Sequence, residues 1–106
     1  MNEIHSLEEF ENCMNSNSNT FVFKHSTRCS FSASIFQKVN EFSKKTGTKI
    51  NLVLVIEDRS LSNKIEEVTE VRHESPQMFI VKGGNVVDSA SHTRIDAQYL
   101  NNFLEA

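Results

Sequence analysis

The chain has 106 residues, 38% of them hydrophobic and 24% charged, which suits one domain with a single core and is too little for two. A formal charge of −3, with no basic stripe interleaved with aromatics, argues against a nucleic-acid binder. The longest apolar run, Leu52 to Ile56, is strand-sized and far short of a membrane span.

Met1-Asn2-Glu3-Ile4-His5 has neither a basic region nor an apolar run, so no secretory leader is expected. Leu7, Phe10 and Met14 then share one face at helical spacing and predict a first helix from about Ser6 to Met14. The Asn15–Asn19 patch of alternating Asn and Ser ends it, because these side chains compete for backbone hydrogen bonds and favour turns. Thr20 to Lys24 reads as a strand. From Ser30 to about Thr46 an apolar stripe of Phe31, Ile35, Val39 and Phe42, widened by Phe36, predicts a long helix stopped by Gly47. Lys49 to Ile56 is apolar without alternation, as in a strand covered on both faces. Leu61, Ile65 and Val68 mark a further helix, with Ser60 or Ser62 as its expected cap. Met78 to Val81 and Val86 to about Ser89 form a hairpin around Lys82-Gly83-Gly84-Asn85, where glycine supplies the positive φ such turns need. A last helix carries Ile95, Tyr99, Leu100 and Phe103.

The order α-β-α-β-α-β-β-α places the first two strands parallel through a right-handed crossover and the last two antiparallel. An α/β domain with a four-stranded mixed sheet and helices on both faces satisfies this order over residues 1–106, which is the thioredoxin-like architecture.

Within that frame Cys29 falls at or beside the first turn of the long helix, just past a strand. Unpaired amides and the helix dipole favour an anion there, and a thiol so placed ionises more readily into its reactive form. Lys24, His25 and Arg28 add positive charge nearby. Cys29 is therefore the candidate nucleophile, and Ser32, one turn on in a Cys-x-x-Ser spacing, can donate a hydrogen bond to the thiolate. Pro76 is the lone proline and directly precedes an apolar strand; both a cis bond and an ordinary trans edge-strand start fit it. Cys13 lies off the apolar face of the first helix and is expected to have no redox role. His25, His73 and His92 lack the close-spaced ligand pairs of a metal site, so no metal is assigned. Glu66, Glu67 and Glu70 read as a solvated helix face. Two cysteines do not make a secreted disulfide framework, so a reduced, cytoplasmic protein is expected.

Three segments carry a family resemblance. They are Phe23-Lys24-His25-Ser26-Thr27-Arg28-Cys29-Ser30-Phe31-Ser32; Leu52 to Arg59 with Ser62-Asn63; and Val71-Arg72-His73-Glu74-Ser75-Pro76-Gln77, running into the Lys82-Gly83-Gly84 turn and Ser91-His92. Together they resemble the YtxJ-like monothiol bacilliredoxins of the thioredoxin superfamily over nearly the whole length. The resemblance implies a thiol-disulfide oxidoreductase that removes bacillithiol, or a similar low-molecular-weight thiol, from S-thiolated cytosolic proteins. It implies Cys29 as nucleophile and a cis Pro76, with Ser75 pairing with the substrate backbone. No resident cofactor, membrane or nucleic acid is implied, and a monomer is favoured. The chain departs from the family pattern after the cysteine, where Ser30-Phe31 replaces Pro-Ile; an extra amide and hydroxyl then lie near the sulfur. A non-catalytic binding module built on the Ser75-Pro76 loop is the alternative function.

Overall fold

A computed structural model describes residues 1–105 of the chain. The elements in order are β1 (Asn2–Glu3), α1 (Leu7–Met14), β2 (Thr20–His25), α2 (Ser30–Thr46), β3 (Ile50–Leu54), α3 (Arg59–Thr69), β4 (Gln77–Lys82), β5 (Asn85–Ser91), a 3-10 turn (His92–Arg94) and α4 (Ala97–Asn101). The sheet runs β1-β3-β2-β4-β5. β1 and β2 lie parallel to β3, whereas β4 is antiparallel to both β2 and β5. The expected four-stranded sheet is thus corrected to five strands. The additional strand is two exposed polar residues, fixed by pairing of Asn2 and Glu3 with Asn51 and Leu52 rather than by any apolar pattern.

Alternation along the strands divides the core into two layers, one on each face of the sheet. Phe21 and Phe23 of β2 pack with Ile35, Val39 and Phe42 of α2 and Leu100 of α4. Val22 points the other way, with Val53 and Phe79, onto Phe10 and Met14 of α1 and Leu61 and Ile65 of α3. Both strand faces are dry, which explains the unbroken apolar runs. Each such side chain contributes about 1.5–3 kcal/mol when fully buried.

The ends of the elements follow local chemistry. Ser6 caps α1 by accepting from the Glu9 N–H, and Gly47 ends α2 in the left-handed region at φ 70°. Gly83 and Gly84, at φ 60° and 85°, make the hairpin turn. α3 begins earlier than its apolar pattern, with Asp58 and not Ser60 or Ser62 at its N-cap; Ser62 is buried inside it. α4 is shorter than its apolar pattern because Ile95 belongs to the extended exit of the 3-10 turn.

Candidate active site

β2 ends at His25, and a tight turn returns the Cys29 N–H to the Ser26 carbonyl at 3.3 Å. Cys29 is the N-cap of the 17-residue α2, in extended backbone at φ −110° and ψ 119°. Its carbonyl accepts the first helical bond, from the Ala33 N–H at 3.0 Å. The amides of Ser30, Phe31 and Ser32 therefore have no acceptor inside the helix. An N-cap side chain normally lends those amides an oxygen; here the position holds a half-buried sulfur. Arg28 and Ser30 flank it and are exposed.

Ser32, fully buried, accepts from the Ser26 N–H at 3.1 Å and shares a 2.8 Å hydrogen bond with His25 Nδ1. The strand end, the cysteine turn and the first turn of α2 are thus tied through one hydroxyl. Ser32 makes no hydrogen bond to Cys29 in this arrangement. Burial lowers the pKa of His25, with Glu57 opposing, so its imidazole is neutral near pH 7. The ring is wedged against Phe36, centroids 4.7 Å apart, with Phe23 stacked at 6.1 Å.

The Ser75–Pro76 peptide is cis. Lys24 pairs with Gln77 across β2 and β4, so the antiparallel ladder extended by one residue brings Pro76 opposite His25, at the sheet end where the cysteine turn begins. The Pro76 carbonyl accepts from the His92 N–H at 3.2 Å. His92 in turn packs against Phe31, ring centroids 5.6 Å apart. Phe31, two residues beyond Cys29, is 43% exposed, although its place in the stripe predicts burial. The fold accordingly gathers Cys29, Ser30, Ser32, His25, Ser75 and Pro76 at one end of the sheet.

Cys13 does not join them. It borders the second core layer and a cleft shared with Thr20, Phe21, Lys49 and Asn51, at the opposite end of β2. Six residues of strand, roughly 20 Å, separate the two ends, far beyond the reach of a disulfide. Burial raises the pKa of the Cys13 thiol. Among the described residues, no three His, Cys, Asp or Glu side chains group to hold a metal ion. None of the described helices is long and apolar enough to cross a membrane.

Two residues near the site have roles that their sequence context hides. Lys24 is fully buried and its Nζ lies 3.0 Å from His73 Nδ1. Glu66, expected on a solvated face, accepts from the His73 N–H at 2.7 Å. Period-two alternation with Val22 is the signal that places Lys24 on an inward face.

The sequence model of the family described as Monothiol bacilliredoxin BrxC matches residues 2–100. A solved structure provisionally described as an oxidoreductase with a thioredoxin fold is 32% identical, with a TM-score of 0.89, covering 98% of this chain and 93% of its own. Thioredoxin from Trypanosoma brucei brucei superposes with a TM-score of 0.78 at 16% identity, over 94% of this chain and 87% of that one. Thioredoxin from Fasciola hepatica gives 0.76 at 18% identity, over 96% and 94%. These last two are alike in fold alone.

Proposed function

The chain belongs to the monothiol bacilliredoxin family, and we propose that it removes a small thiol, bacillithiol or a close analogue, from mixed disulfides on cytosolic proteins. The observation that carries this reading is Cys29 at the N-cap of α2, the helix end at which three amides are left without helical acceptors, none of them bonded to its sulfur in this arrangement. In the first step the Cys29 thiolate attacks the small-thiol sulfur of the mixed disulfide. The protein thiolate leaves and takes up a proton, and Cys29 now holds the small thiol in a new disulfide. A second small thiol, as its thiolate, then attacks that disulfide, releasing the small-molecule disulfide and the Cys29 thiolate. With one active thiol no internal resolving step is needed, and Cys13 is too remote to supply one.

The neighbours have definable parts in this scheme. With the Nδ1–H tautomer of His25 donating to Ser32, the hydroxyl accepts two bonds and fixes the turn that carries Cys29 onto the first turn of α2. Ser30 adds an amide and a hydroxyl at the helix start, and exposed Arg28 attracts anionic substrate. Ser75, before the cis Pro76, offers its backbone to an extended substrate segment. The protein acts as a cytoplasmic monomer with no resident cofactor; the small thiol is a co-substrate.

Intact-mass spectrometry after incubation with a bacillithiol mixed disulfide tests the scheme. Wild type and Cys13→Ser should each gain one adduct, released by free thiol, and Cys29→Ser none. An adduct that persists in Cys29→Ser, or a Cys29 inert under conditions that label an ordinary exposed cysteine, would sink it.

A further inference from the structure

The Val71–Ser75 segment leads into the cis peptide with no helix or strand of its own. Buried polar side chains hold it. Lys24 Nζ donates to the Ser62 carbonyl of α3 at 3.0 Å and lies 3.0 Å from His73 Nδ1. The Gln77 amide nitrogen donates to the Arg72 carbonyl at 2.9 Å, and its oxygen accepts from the Glu74 N–H at 3.2 Å. Glu66 takes the His73 N–H. Lys24 and Gln77 are partners across β2 and β4, so they share the face toward α3, and they are 0% and 3% exposed.

An amine sealed in a protein interior is costly unless every proton it presents finds an acceptor. A methionine or leucine would fill this space beside the Phe79 ring more cheaply. The cost is tolerable if the position needs what an apolar side chain cannot give, a directed bond to the segment. The Gln77 amide has the same logic: its two ends close on two separate backbone groups of one loop, fixing the path of the chain three and five residues before its own position.

Building on the proposed thiol exchange, we infer that Lys24 and Gln77 are positioning residues for the protein substrate. They hold Val71–Ser75 so that the Ser75 backbone stands ready to pair with the segment bearing the mixed disulfide. Neither touches the reacting sulfurs. Their contribution falls on recognition of a protein disulfide, and the intrinsic reactivity of Cys29 does not depend on it.

Lys24→Met and, separately, Gln77→Met test the inference, with wild type alongside. The readouts are KM and kcat on a small-thiol mixed disulfide of a folded protein, the rate of Cys29 alkylation by iodoacetamide, and amide exchange at His73 and Glu74. Each substitution should raise KM about tenfold, the scale of losing one or two buried hydrogen bonds, with kcat and the alkylation rate changed less than about twofold. Exchange at Glu74 should quicken in Gln77→Met. Should Lys24→Met fail to fold, Gln77→Met carries the test, since a methionine retains its volume and the strand pairing is made by the backbone. Folded variants with unchanged KM overturn the inference while leaving the exchange reaction intact. An equal fall in alkylation and turnover overturns it too, by showing general loss of structure. A wild type that turns over no mixed disulfide removes the proposed function and this inference with it.

Discussion

Ser30 stands, with Phe31, where the family resemblance implies Pro-Ile, and its surroundings say what a proline there would change. It is the first residue of α2, exposed, and its N–H has no acceptor inside the helix. Cys29 before it is extended, at φ −110° and ψ 119°, a backbone that a following proline accepts without strain. Proline at this position is pre-set for the helix and would remove one of the three acceptor-free amides of the first turn. Ser30→Pro should therefore stabilise the protein by about 0.4–1 kcal/mol, mainly through the unfolded chain, and yet slow the attack of Cys29. The loss of one helix-terminal donor, about 0.3–1 kcal/mol, corresponds to a roughly two- to fivefold slower reaction with a model disulfide at fixed pH. Urea unfolding and stopped-flow exchange on the same samples check both halves. A variant that is more stable and equally fast would show that the Ser30 amide contributes nothing to the thiolate.

At the scale of elements, legibility tracks how much of each element is fixed by its own pattern. The stripe of α2 is buried at Ile35, Val39 and Phe42, as period 3.6 requires, while Phe31 escapes because the first turn meets His92 in place of the sheet. The helix end and the cysteine of the site could be read from spacing; the Ser32–His25 bond could not, since it depends on how α2 leaves β2. Neither could the hold of Lys24 and Gln77, which needs the β2–β4 register. β1 is the extreme case: Asn2 and Glu3 have no apolar periodicity, and their strand exists through its partners. Asn51 is one of these, 2% exposed, donating to the Phe21 carbonyl at 3.1 Å and accepting from the Asn2 side chain at 3.0 Å. Asn51→Ala should cost about 1–2 kcal/mol through the buried groups it leaves unpaired and loosen β1 selectively. Amide exchange at Ile4, whose N–H donates to the Leu52 carbonyl, should quicken more than exchange in β2. Uniform quickening across the sheet would mean that Asn51 braces the whole core and has no special hold on the edge.

Across the whole molecule, the buried bases set how stability responds to pH. Burial lowers the pKa of Lys24 from 10.5 to about 8, with Glu66 opposing. His25 and His73 are likewise lowered from 6.5, mainly by burial, and Lys24 further lowers His73. For each group the unfolded chain binds more protons than the native one between the two pKa values, so stability rises with pH through that interval. The histidines act below 6.5, and Lys24 acts from about 8 toward 10.5. Opposition begins above 9.0, where Cys13, raised by burial, is ionised in the unfolded chain before the native one. Above 10.0 Tyr99 adds to it, raised by burial and by its hydrogen bond to Asp88. His5, raised by Asp58, also opposes, from 6.5 upward, but it is exposed and its pairing is screened by solvent. The sum places maximum stability on the alkaline side of neutrality, at about pH 9–10, above the range usual for small domains. Urea midpoints at constant ionic strength should climb up to about pH 6.5, climb again from about pH 8 to 9, and fall above about pH 10. In Lys24→Met the climb near pH 6 should persist, reduced because His73 loses its cationic neighbour, while the rise above pH 8 disappears. A wild-type profile that does not rise between pH 8 and 9 would mean that the Lys24 ammonium is stabilised where it lies, with Glu66 and the Ser62 carbonyl outweighing its burial.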